Sequence, residues 1–408
     1  MTRRVAVTGV GAIASIGADM EQLWRAVQQG RSGIGPIRTI PTERLSTRVA
    51  AEIHDFDPLR WFEPRQMALL DRNAQLALVA AREAVRQSGV DTRSAGARGG
   101  VVLAAAIGQH TIDSTYKSFY GDGAKRVHPL TVPRLMPSSA TSQVSMEFGL
   151  RGPSVAMASA CASANHAIGH AFQMIRAGML DVAITGGADA SVVVGVLKAW
   201  EGLRVLSPDL CQPFSLDRKG LVIGEGGAML VLEEWDAAVA RGAVIQAELV
   251  GFGSSADASD ITAPDAAGAA AAMRAAIEDA GVSADQVDYV NAHGTGTRLN
   301  DRTEVAALRA VFGRHLGRMA VSSTKSMLGH CMTASGALEL AVTVAALRDS
   351  VLPPTAGFTT PDPECDIDCV PNVARQAPIE VALSNSFAFG GLNATLIVRR
   401  AASSRRPS

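Results

Sequence analysis

Short runs of β-branched and other apolar residues alternate along this chain with longer Ala-rich stretches, in which apolar positions recur every three or four residues. The short runs are typical of strands buried on both faces, and the longer stretches are typical of amphipathic helices. We predict strands at residues 101–103, 182–185, 228–232, 289–290 and 381–383. We predict helices at residues 73–88, 163–177, 267–280, 303–311 and 336–348. Strands and helices that alternate in this way indicate an α/β fold.

The order of elements repeats weakly on either side of residue 245. A strand followed by a Gly-rich turn at residues 5–15 has a counterpart at 247–256, and the next long helix ends near Gly89 in one part and near Gly281 in the other. Each part continues with a strand, a second helix and a strand that ends in a Gly turn. Although α/β units also resemble one another by chance, we predict two pseudo-repeated halves, residues 1–245 and 246–408.

The composition excludes several classes of protein. The chain has 38 Lys and Arg against 39 Asp and Glu, and this net charge of −1 does not favour nucleic-acid binding, which depends on a basic excess. Its 47% of hydrophobic residues excludes a disordered chain, and its apolar runs are too short or too interrupted for a membrane span. Five Cys in 408 residues do not make a disulfide scaffold, and no signal-peptide pattern precedes the first strand. A cytoplasmic location is therefore expected.

One Cys lies where a segment of small and polar residues meets a predicted helix. Residues 159–163 are Ser-Ala-Cys-Ala-Ser, which places Cys161 at or just before the N-terminus of the helix. Free N–H groups and the helix dipole would stabilise a thiolate there, and the thiolate is the nucleophilic form of Cys. The alternative is a buried Cys that only fills space.

Two His, one Lys and one Glu lie at the ends of predicted elements in the second half. His293 follows the strand at 289–290 inside a Gly- and Thr-rich turn, where it can reach a cleft. Lys325 and His330 precede the Ala-rich helix that carries Glu339. A carboxylate in such an apolar helix needs a partner, and Lys325 is the candidate. Taken singly, each His could equally be a structural residue.

Three further patterns could indicate a functional site. The Gly-rich stretch at 384–393 follows a strand and could present backbone N–H groups to an anion, or could be an ordinary hairpin. The turn at 9–14 resembles a dinucleotide-binding turn, but no second strand with an acidic end follows, which disfavours an oxidoreductase. Cys365 and Cys369 lack a partner pair with zinc-ligand spacing, so no metal site is expected.

One Cys and two His together indicate acyl transfer to sulfur followed by attack of a carbanion. A thiolate takes the acyl group as a thioester. Two imidazoles that donate to one point would hold the oxygen of a second thioester as it becomes an enolate on loss of carbon dioxide. A hydrolase would instead need one His as a base beside the Cys and a path for water.

With these residues in place, the chain resembles the β-ketoacyl-[acyl-carrier-protein] synthases, the condensing enzymes of the thiolase superfamily, from Arg4 to Arg399. The shared motifs are Cys161, His293, Thr-Lys-Ser-Met-x-Gly-His at 324–330, Asn-Ser-Phe-x-Phe-Gly-Gly at 385–391, Pro-Phe-Ser-x-Asp-Arg-Lys-Gly at 213–220 and Gly-Glu-Gly at 224–226. The resemblance implies a thiolase-like, five-layered αβαβα fold of two pseudo-repeated halves.

The resemblance also implies the roles of the site residues. Cys161 would accept the acyl group, and His293 and His330 would bind the malonyl thioester oxygen. Lys325, paired with Glu339, would fix and polarise His330. Backbone N–H groups of Cys161 and Phe389 would form the oxyanion hole, and the product would be a β-ketoacyl chain two carbons longer. The substrate-binding residues would be Thr295, Thr297, Phe387, Phe389 and Gly390.

The implied partner is an acyl carrier protein, which brings its own phosphopantetheine arm, so the chain itself is expected to need no cofactor. Carrier proteins are acidic, and basic residues are expected to face them. The candidates, for which solvated surface charge is the alternative, are Arg65, Lys125, Arg126 and Arg204. A homodimer, or a heterodimer with a chain-length-factor-like subunit, is expected to form through the strand at residues 181–187.

Within the family, the chain is particularly similar to the synthase II type and its nodulation protein E subgroup, near synthases of polyene chains. Ala388 and the Pro-Ser-Ser-Ala stretch at 137–140 depart from housekeeping synthase II, and Ala388 would stiffen the phenylalanine gate. Specialised polyene, polyketide or nodulation-type synthesis is therefore expected. Housekeeping elongation, or the catalytic role in a heterodimer, remains open. A thiolase-like enzyme would have a second Cys where Ser386 and Phe387 stand, and an inert chain-length subunit would lack Cys161.

Overall fold

The computed structural model describes residues 2–401, and the elements in that range follow the predicted alternation of strands and helices. The strands are β1 (Val5–Ala14), β2 (Ile34–Pro36), β3 (Val49–Ala51), β4 (Gly99–Ala104), β5 (Ser154–Met157), β6 (Val182–Ala190), β7 (Glu225–Glu234), β8 (Ala247–Ala256), β9 (Tyr289–Asn291), β10 (Ala320–Ser322), β11 (Val351–Leu352), β12 (Arg375–Gln376), β13 (Val381–Ala388) and β14 (Leu392–Arg400). The α-helices are α1 (Met20–Gln28), α2 (Pro64–Met67), α3 (Arg72–Ser88), α4 (Thr92–Ala95), α5 (Gln109–Tyr116), α6 (Thr131–Leu135), α7 (Ser139–Phe148), α8 (Ser163–Arg176), α9 (Val194–Gly202), α10 (Trp235–Ala240), α11 (Ala266–Ala280), α12 (Arg298–Phe312), α13 (Lys325–Leu328) and α14 (Ser335–Asp349).

Ten strands form one sheet whose order is symmetric about its centre. The order is β10-β9-β13-β14-β8-β1-β7-β6-β4-β5, so five strands of the first half and five of the second half follow equivalent sequences outward from β1 and β8. The two central strands pair antiparallel over three residues only, Val5 to Val7 against Ala247 to Leu249. The strand order therefore repeats in the two halves, and the division of the chain at residue 245 stays a prediction.

Alternate residues of the strands face different apolar cores, as the period of two in a strand requires. In the first half, Val102 and Leu230 pack with α8 and α14, whereas Val101 and Val231 pack under α3. In the second half, Leu396 and its neighbours face the same central helices, and the alternate residues pack under α11 and α12. Two helices thus lie between the two halves of the sheet and further helices cover the outside. This is the five-layered αβαβα arrangement that was predicted.

The glycines in β1 allow the sheet to pack closely against α3. A Cβ atom on Gly9 would lie 2.0 Å from the carbonyl oxygen of Ala84, and one on Gly11 would lie 2.1 Å from that of Ala80. Both glycines therefore let the backbone of the helix approach the strand. Close packing against α3 therefore accounts for the glycines that resemble a dinucleotide-binding turn.

The position of β6 contradicts the predicted dimer contact at residues 181–187. β6 is hydrogen-bonded to β4 on one side and to β7 on the other, so it has no free edge. The prediction was wrong because a buried, strongly apolar strand is also what the middle of a sheet requires. At this end of the sheet the edge strand is β5, whose Ser154 and Val155 are exposed.

Within residues 2–401, no helix has the length and apolar content needed to cross a membrane. In the same range, no group of three or more His, Cys, Asp and Glu side chains is arranged to hold a metal ion.

Substituting Gly11→Ala should lower the free energy of unfolding by about 1–3 kcal/mol, because the added methyl group must displace helix backbone. Urea unfolding of the purified protein measures the change. Gly35→Ala is the matched control, since no heavy atom lies within 4 Å of the added carbon, and it should change the free energy by less than about 0.5 kcal/mol. Equal stability of the two variants would contradict the packing role of Gly11.

Candidate active site

A cavity enclosing about 680 Å³ of space, part of it open to solvent, lies where the two halves meet. Cys161 from the first half and His293 and His330 from the second half all line it. Each is nearly buried, with exposed fractions of 8%, 3% and 1%. The structure thus brings together three residues that are separated by up to 169 positions in the sequence, as their proposed chemistry requires.

Cys161 sits in a single turn of 3₁₀ helix, residues 160–162, directly before α8. Ala160 adopts a φ of +46°, an unusual value for a residue with a side chain, and this turns the chain into the helix. The hydroxyl of Ser163 donates to the carbonyl of Ala160 (2.7 Å) and accepts from the N–H of Ser159 (2.9 Å). The sulfur is therefore held at the amino end of a buried helix, where the sequence placed it.

Burial disfavours the thiolate form of Cys161. Burial raises the pKa of Cys161 to about 11, although the nearby charge of Lys325 acts in the opposite direction. The sequence analysis expected the helix end to stabilise a thiolate, and burial acts against that stabilisation in the unloaded site.

His293 is held by a carboxylate that the sequence analysis missed. Glu304 on α12 accepts hydrogen bonds from the backbone N–H groups of His293 (2.8 Å) and Gly294 (2.7 Å). The amide of Asn385 also donates to Glu304 (3.2 Å). Burial raises the pKa of Glu304 to about 7. The sequence shows only that Glu304 lies in the predicted helix after the His turn, and its burial is seen only in the structure.

The hydrogen bonds of Lys325 go to His293 and Glu339, which corrects the predicted role of Lys325 in fixing His330. Its ammonium group donates to the carbonyl oxygen of His293 (2.6 Å), lies 3.3 Å from the Nδ1 atom of the same residue, and forms an ion pair with Glu339. β9 and β10 are parallel neighbours, so their ends meet and bring residues just beyond them together. Gly329, just before His330, has a left-handed φ of +64°.

Backbone hydrogen bonds from the first half hold His330. Its N–H donates to the carbonyl of Val222 (2.7 Å), and its carbonyl accepts from the N–H of Gly224 (2.9 Å). The Nδ1 atom of its ring lies 2.8 Å from the hydroxyl oxygen of Ser335. The segment at 221–224, within and beside the mid-chain motifs, therefore supports a residue of the other half.

The two imidazoles form a neutral pair. Their ring centres are 5.5 Å apart and the rings are inclined at 84°. Burial, followed by the charge of Lys325, lowers the pKa of both His293 and His330 well below the usual value for His. Each ring at neutral pH therefore carries one N–H donor and one acceptor nitrogen.

The mouth of the cavity is formed by the hairpin between β13 and β14. Phe389 lies at its tip, and Trp200 of α9 stacks on it with ring centres 5.8 Å apart. The N–H of Gly390 donates to the carbonyl of Ile261 (2.8 Å), which joins the tip to another wall of the cavity. Gly390 and Gly391 carry the left-handed φ values of the turn, whereas Ala388 ends strand β13.

The other predicted substrate residues lie on or beside the cavity. Phe387, Thr295 and Thr297 line it, and Phe387 stacks obliquely on His293 with ring centres 6.1 Å apart. The hydroxyl groups of Thr295 and Thr297 are hydrogen-bonded to each other (2.9 Å). Gly390 is at the hairpin tip, where Gly391 provides the cavity wall.

The predicted carrier-facing residues are all exposed, and they occupy separate segments: Arg65, Lys125, Arg126 and Arg204. Arg204 precedes Val205, which lines the cavity together with Trp200. Arg204 is therefore the member of this group for which the sequence neighbours place it beside the cavity mouth.

Most of the chain matches two family descriptions. Residues 2–238 match "Beta-ketoacyl synthase, N-terminal domain", and residues 246–359 match "Beta-ketoacyl synthase, C-terminal domain".

Known proteins that are similar in sequence or structure match almost the whole length of this chain. The nodulation protein E of Rhizobium sp. (strain N33) is 48% identical over 98% of this chain and 100% of its own length. The 3-oxoacyl-[acyl-carrier-protein] synthase 2 of Staphylococcus aureus (strain COL) is 40% identical over 98% of each chain. The ishigamide ketosynthase/chain length factor superposes with a TM-score of 0.93 at 36% identity, over 98% of this chain and 100% of its own. A type II PKS ketosynthase solved in complex with its acyl-carrier protein gives 0.90 at 29%, over the same shares.

The rate of Cys161 alkylation by iodoacetamide should rise about tenfold for each pH unit between pH 7 and pH 9.5. The thiolate fraction grows in this proportion at all pH values below the pKa, and the pKa of Cys161 is raised to about 11. Intact-mass measurement follows the reaction, with Cys161→Ala as the control for labelling elsewhere. A rate that levels off below pH 8.5 would instead indicate a thiolate in the resting site.

Proposed function

The chain belongs to the β-ketoacyl synthase family and is a carrier-dependent condensing acyltransferase, and we propose that it extends acyl chains of a specialised pathway, with Cys161 as the acyl acceptor. The observation that carries the assignment of residues is the single cavity lined by Cys161, His293 and His330. The product would be a β-ketoacyl chain on the carrier, longer than the primer by two carbons.

In the first step, the acyl group passes from the thioester of the carrier to Cys161. The sulfur of Cys161 attacks the acyl carbonyl, the bond to the pantetheine sulfur breaks, and the proton of the Cys161 thiol ends on the departing pantetheine thiol. Because one thiol replaces another, the step balances without an external base. The backbone N–H groups of Cys161 and Phe389 are proposed to hold the oxyanion.

In the second step, malonyl-carrier loses carbon dioxide and its thioester becomes an enolate. We assign the N–H groups of His293 and His330 to the enolate oxygen, and each such donor lowers the barrier by about 3 kcal/mol. The enolate carbon attacks the acyl group, the Cys161 thiolate leaves, and it takes a proton from water. The high pKa of Cys161, about 11, favours this return to the thiol.

The remaining residues support these two steps. The ion pair of Lys325 with Glu339 places an ammonium group beside His293, which keeps that imidazole neutral and oriented. Phe389 is proposed to move aside when the pantetheine arm enters, and Thr295 and Thr297 to contact the arm. The reaction consumes two thioesters and exchanges no electrons, so we assign no cofactor other than the arm that the carrier brings.

The partner of this cavity is proposed to be an acyl carrier protein. One structurally similar ketosynthase was solved with its carrier protein bound. We propose that Arg204 at the cavity mouth faces this acidic partner, with Arg65, Lys125 and Arg126 as further contacts. All five cysteines are free thiols, which supports a reducing compartment and hence the cytoplasm.

Specialised synthesis is favoured over housekeeping elongation by two observations. The relative named for nodulation is 48% identical, against 40% for the synthase 2 of S. aureus. At the mouth of the cavity Trp200 stacks on Phe389, so two aromatic faces meet the entering chain. A heterodimer is supported by the likeness to a ketosynthase/chain length factor.

The protein should elongate acyl-carriers with malonyl-carrier, and Cys161→Ala should not. We would incubate each protein with malonyl-carrier and a panel of saturated and conjugated dienoyl carriers, and identify products and acylated enzyme by intact mass. Wild-type protein should carry the acyl group on Cys161 and release a product two carbons longer. Cys369→Ala, which removes a thiol at a separate pocket, should behave as wild type.

Two outcomes would contradict the proposal in different ways. Equal turnover by wild type and Cys161→Ala would remove Cys161 from the reaction. Elongation of saturated primers only would remove the specialised pathway and leave the housekeeping alternative.

We also propose that the dimer forms through β5, the exposed edge of the sheet. The N–H groups of Val101 and Ala105 bond to the carbonyls of Pro153 and Met157, so the backbone groups of Ser154 and Ala156 point to the open side. At the opposite edge, β10 is buried and the N–H of Val321 bonds to Asp368. β5 is thus the better edge for a second chain.

Ala156→Pro removes one backbone donor on the open side of β5 and should convert the dimer to a monomer. Val155→Lys, which places a charge on a side chain that is 42% exposed, should have the same effect. Light scattering coupled to size exclusion gives the mass, and circular dichroism checks that each variant is folded. Folded variants that remain dimers would place the interface elsewhere.

A further inference from the structure

Ser335, the first residue of α14, contacts one of the two cavity imidazoles. Its hydroxyl oxygen lies 2.8 Å from the Nδ1 atom of His330, and both residues are buried, with exposed fractions of 2% and 1%. His330 lines the cavity, so the nitrogen that is left for a substrate is Nε2. A neutral imidazole has one N–H donor and one acceptor nitrogen, and the partner of Nδ1 decides which is which.

The direction of this hydrogen bond follows from the surroundings of Ser335. A buried hydroxyl hydrogen needs an acceptor. Among the described residues, His330 Nδ1 is the hydrogen-bond partner of the Ser335 hydroxyl. The equivalent residue of the first half, Ser163, instead donates back to the carbonyl of Ala160 (2.7 Å). Ser335 therefore donates to Nδ1, and the proton of the ring lies on Nε2.

His293 reaches the same state through a different donor. The ammonium group of Lys325 lies 3.3 Å from His293 Nδ1 and, having no acceptor capacity, can only donate. Both rings then present Nε2–H to the cavity. We infer that Ser335 is a positioning residue that fixes the Nε2–H tautomer of His330, as Lys325 does for His293; the inference rests on the proposed condensation.

The turn that carries Ser335 is itself fixed by a residue of the first half. The carboxylate of Asp189, at the end of β6, accepts from the hydroxyl of Thr333 (2.8 Å) and from its N–H (3.3 Å). Met332, the residue before Thr333, has a φ of +45°. A turn clamped in this way holds the Ser335 hydroxyl at one distance from His330.

Ser335→Ala should lower kcat for condensation by about 10- to 100-fold, with little change in KM for malonyl-carrier, since the loss falls on charge that develops in the transition state. Loading of Cys161 from acyl-carrier should proceed at the wild-type rate, because that step uses backbone donors. Ser335→Thr, which keeps the hydroxyl, should restore kcat to within about threefold of wild type.

A matched control separates positioning from the general loss of a buried hydroxyl. Thr343 lies on the same helix, is fully buried, and donates to the carbonyl of Glu339 (2.7 Å) without touching either imidazole. Thr343→Val should leave the ratio of loading to condensation unchanged. A rise in that ratio equal to the one for Ser335→Ala would overturn the inference.

The tautomer can be read directly by nitrogen NMR of protein labelled with ¹⁵N in the histidine rings. His330→Ala identifies the signals of His330. Wild-type His330 should show a protonated Nε2 and an unprotonated Nδ1, and Ser335→Ala should show a mixture of tautomers. A wild-type ring protonated on Nδ1, or wild-type condensation by Ser335→Ala, would overturn the role of Ser335.

Failure of the proposed function gives a different result. If wild-type protein neither loads nor condenses, the function is wrong, while the NMR spectrum still decides whether Ser335 sets the tautomer.

Discussion

The site depends on hydrogen bonds by which each half of the fold holds residues of the other. The backbone of His330, from the second half, bonds to Val222 and Gly224 of the first. The amide of Asn165 on α8 donates to the carbonyl of Ser384 in β13 (3.2 Å), which ties the nucleophile helix to the opposite half of the sheet. Neither half alone would contain the cavity, because its walls and the supports of its reactive residues are shared. The chemistry of the site thus depends on the burial of its reactive residues between the two halves.

Burial of this kind decides the protonation of the site. Removal from water favours the neutral form of every titratable group, so the pKa of the Cys161 thiol is high and the pKa values of both imidazoles are low. The exception is the ion pair of Lys325 and Glu339, whose two charges compensate each other in the same interior. One fixed cation beside two neutral rings is well suited to a reaction in which negative charge appears and disappears on thioester oxygens.

The sequence predicted what depends on local pattern and missed what depends on register. Apolar periodicity gave the helix found at Ser163–Arg176 and the strand at Val182–Ala190, and small residues before the helix located Cys161. The pairing of Lys325 with Glu339 was predicted correctly. The imidazole next to Lys325 was not, because it depends on how β9 and β10 lie side by side, and neither strand alone shows that register. Glu304 and Ser335 were missed for a related reason: an acidic or hydroxyl residue on a helix gives no sign of which backbone or ring it will meet.

The repeated fold explains why there is one reaction centre and not two. A residue with left-handed φ, a 3₁₀ turn and a buried helix occur in both halves, at Ala160 to Ser163 and at Met332 to Ser335. The equivalent of Cys161 is Thr333, and its hydroxyl is bonded to Asp189. The second helix end therefore has no free nucleophile, and its serine contacts an imidazole in place of its own turn. The two copies of the motif thus have different proposed roles. The first carries the acyl group on Cys161, and the second orients His330, which binds the thioester oxygen of the attacking malonyl group.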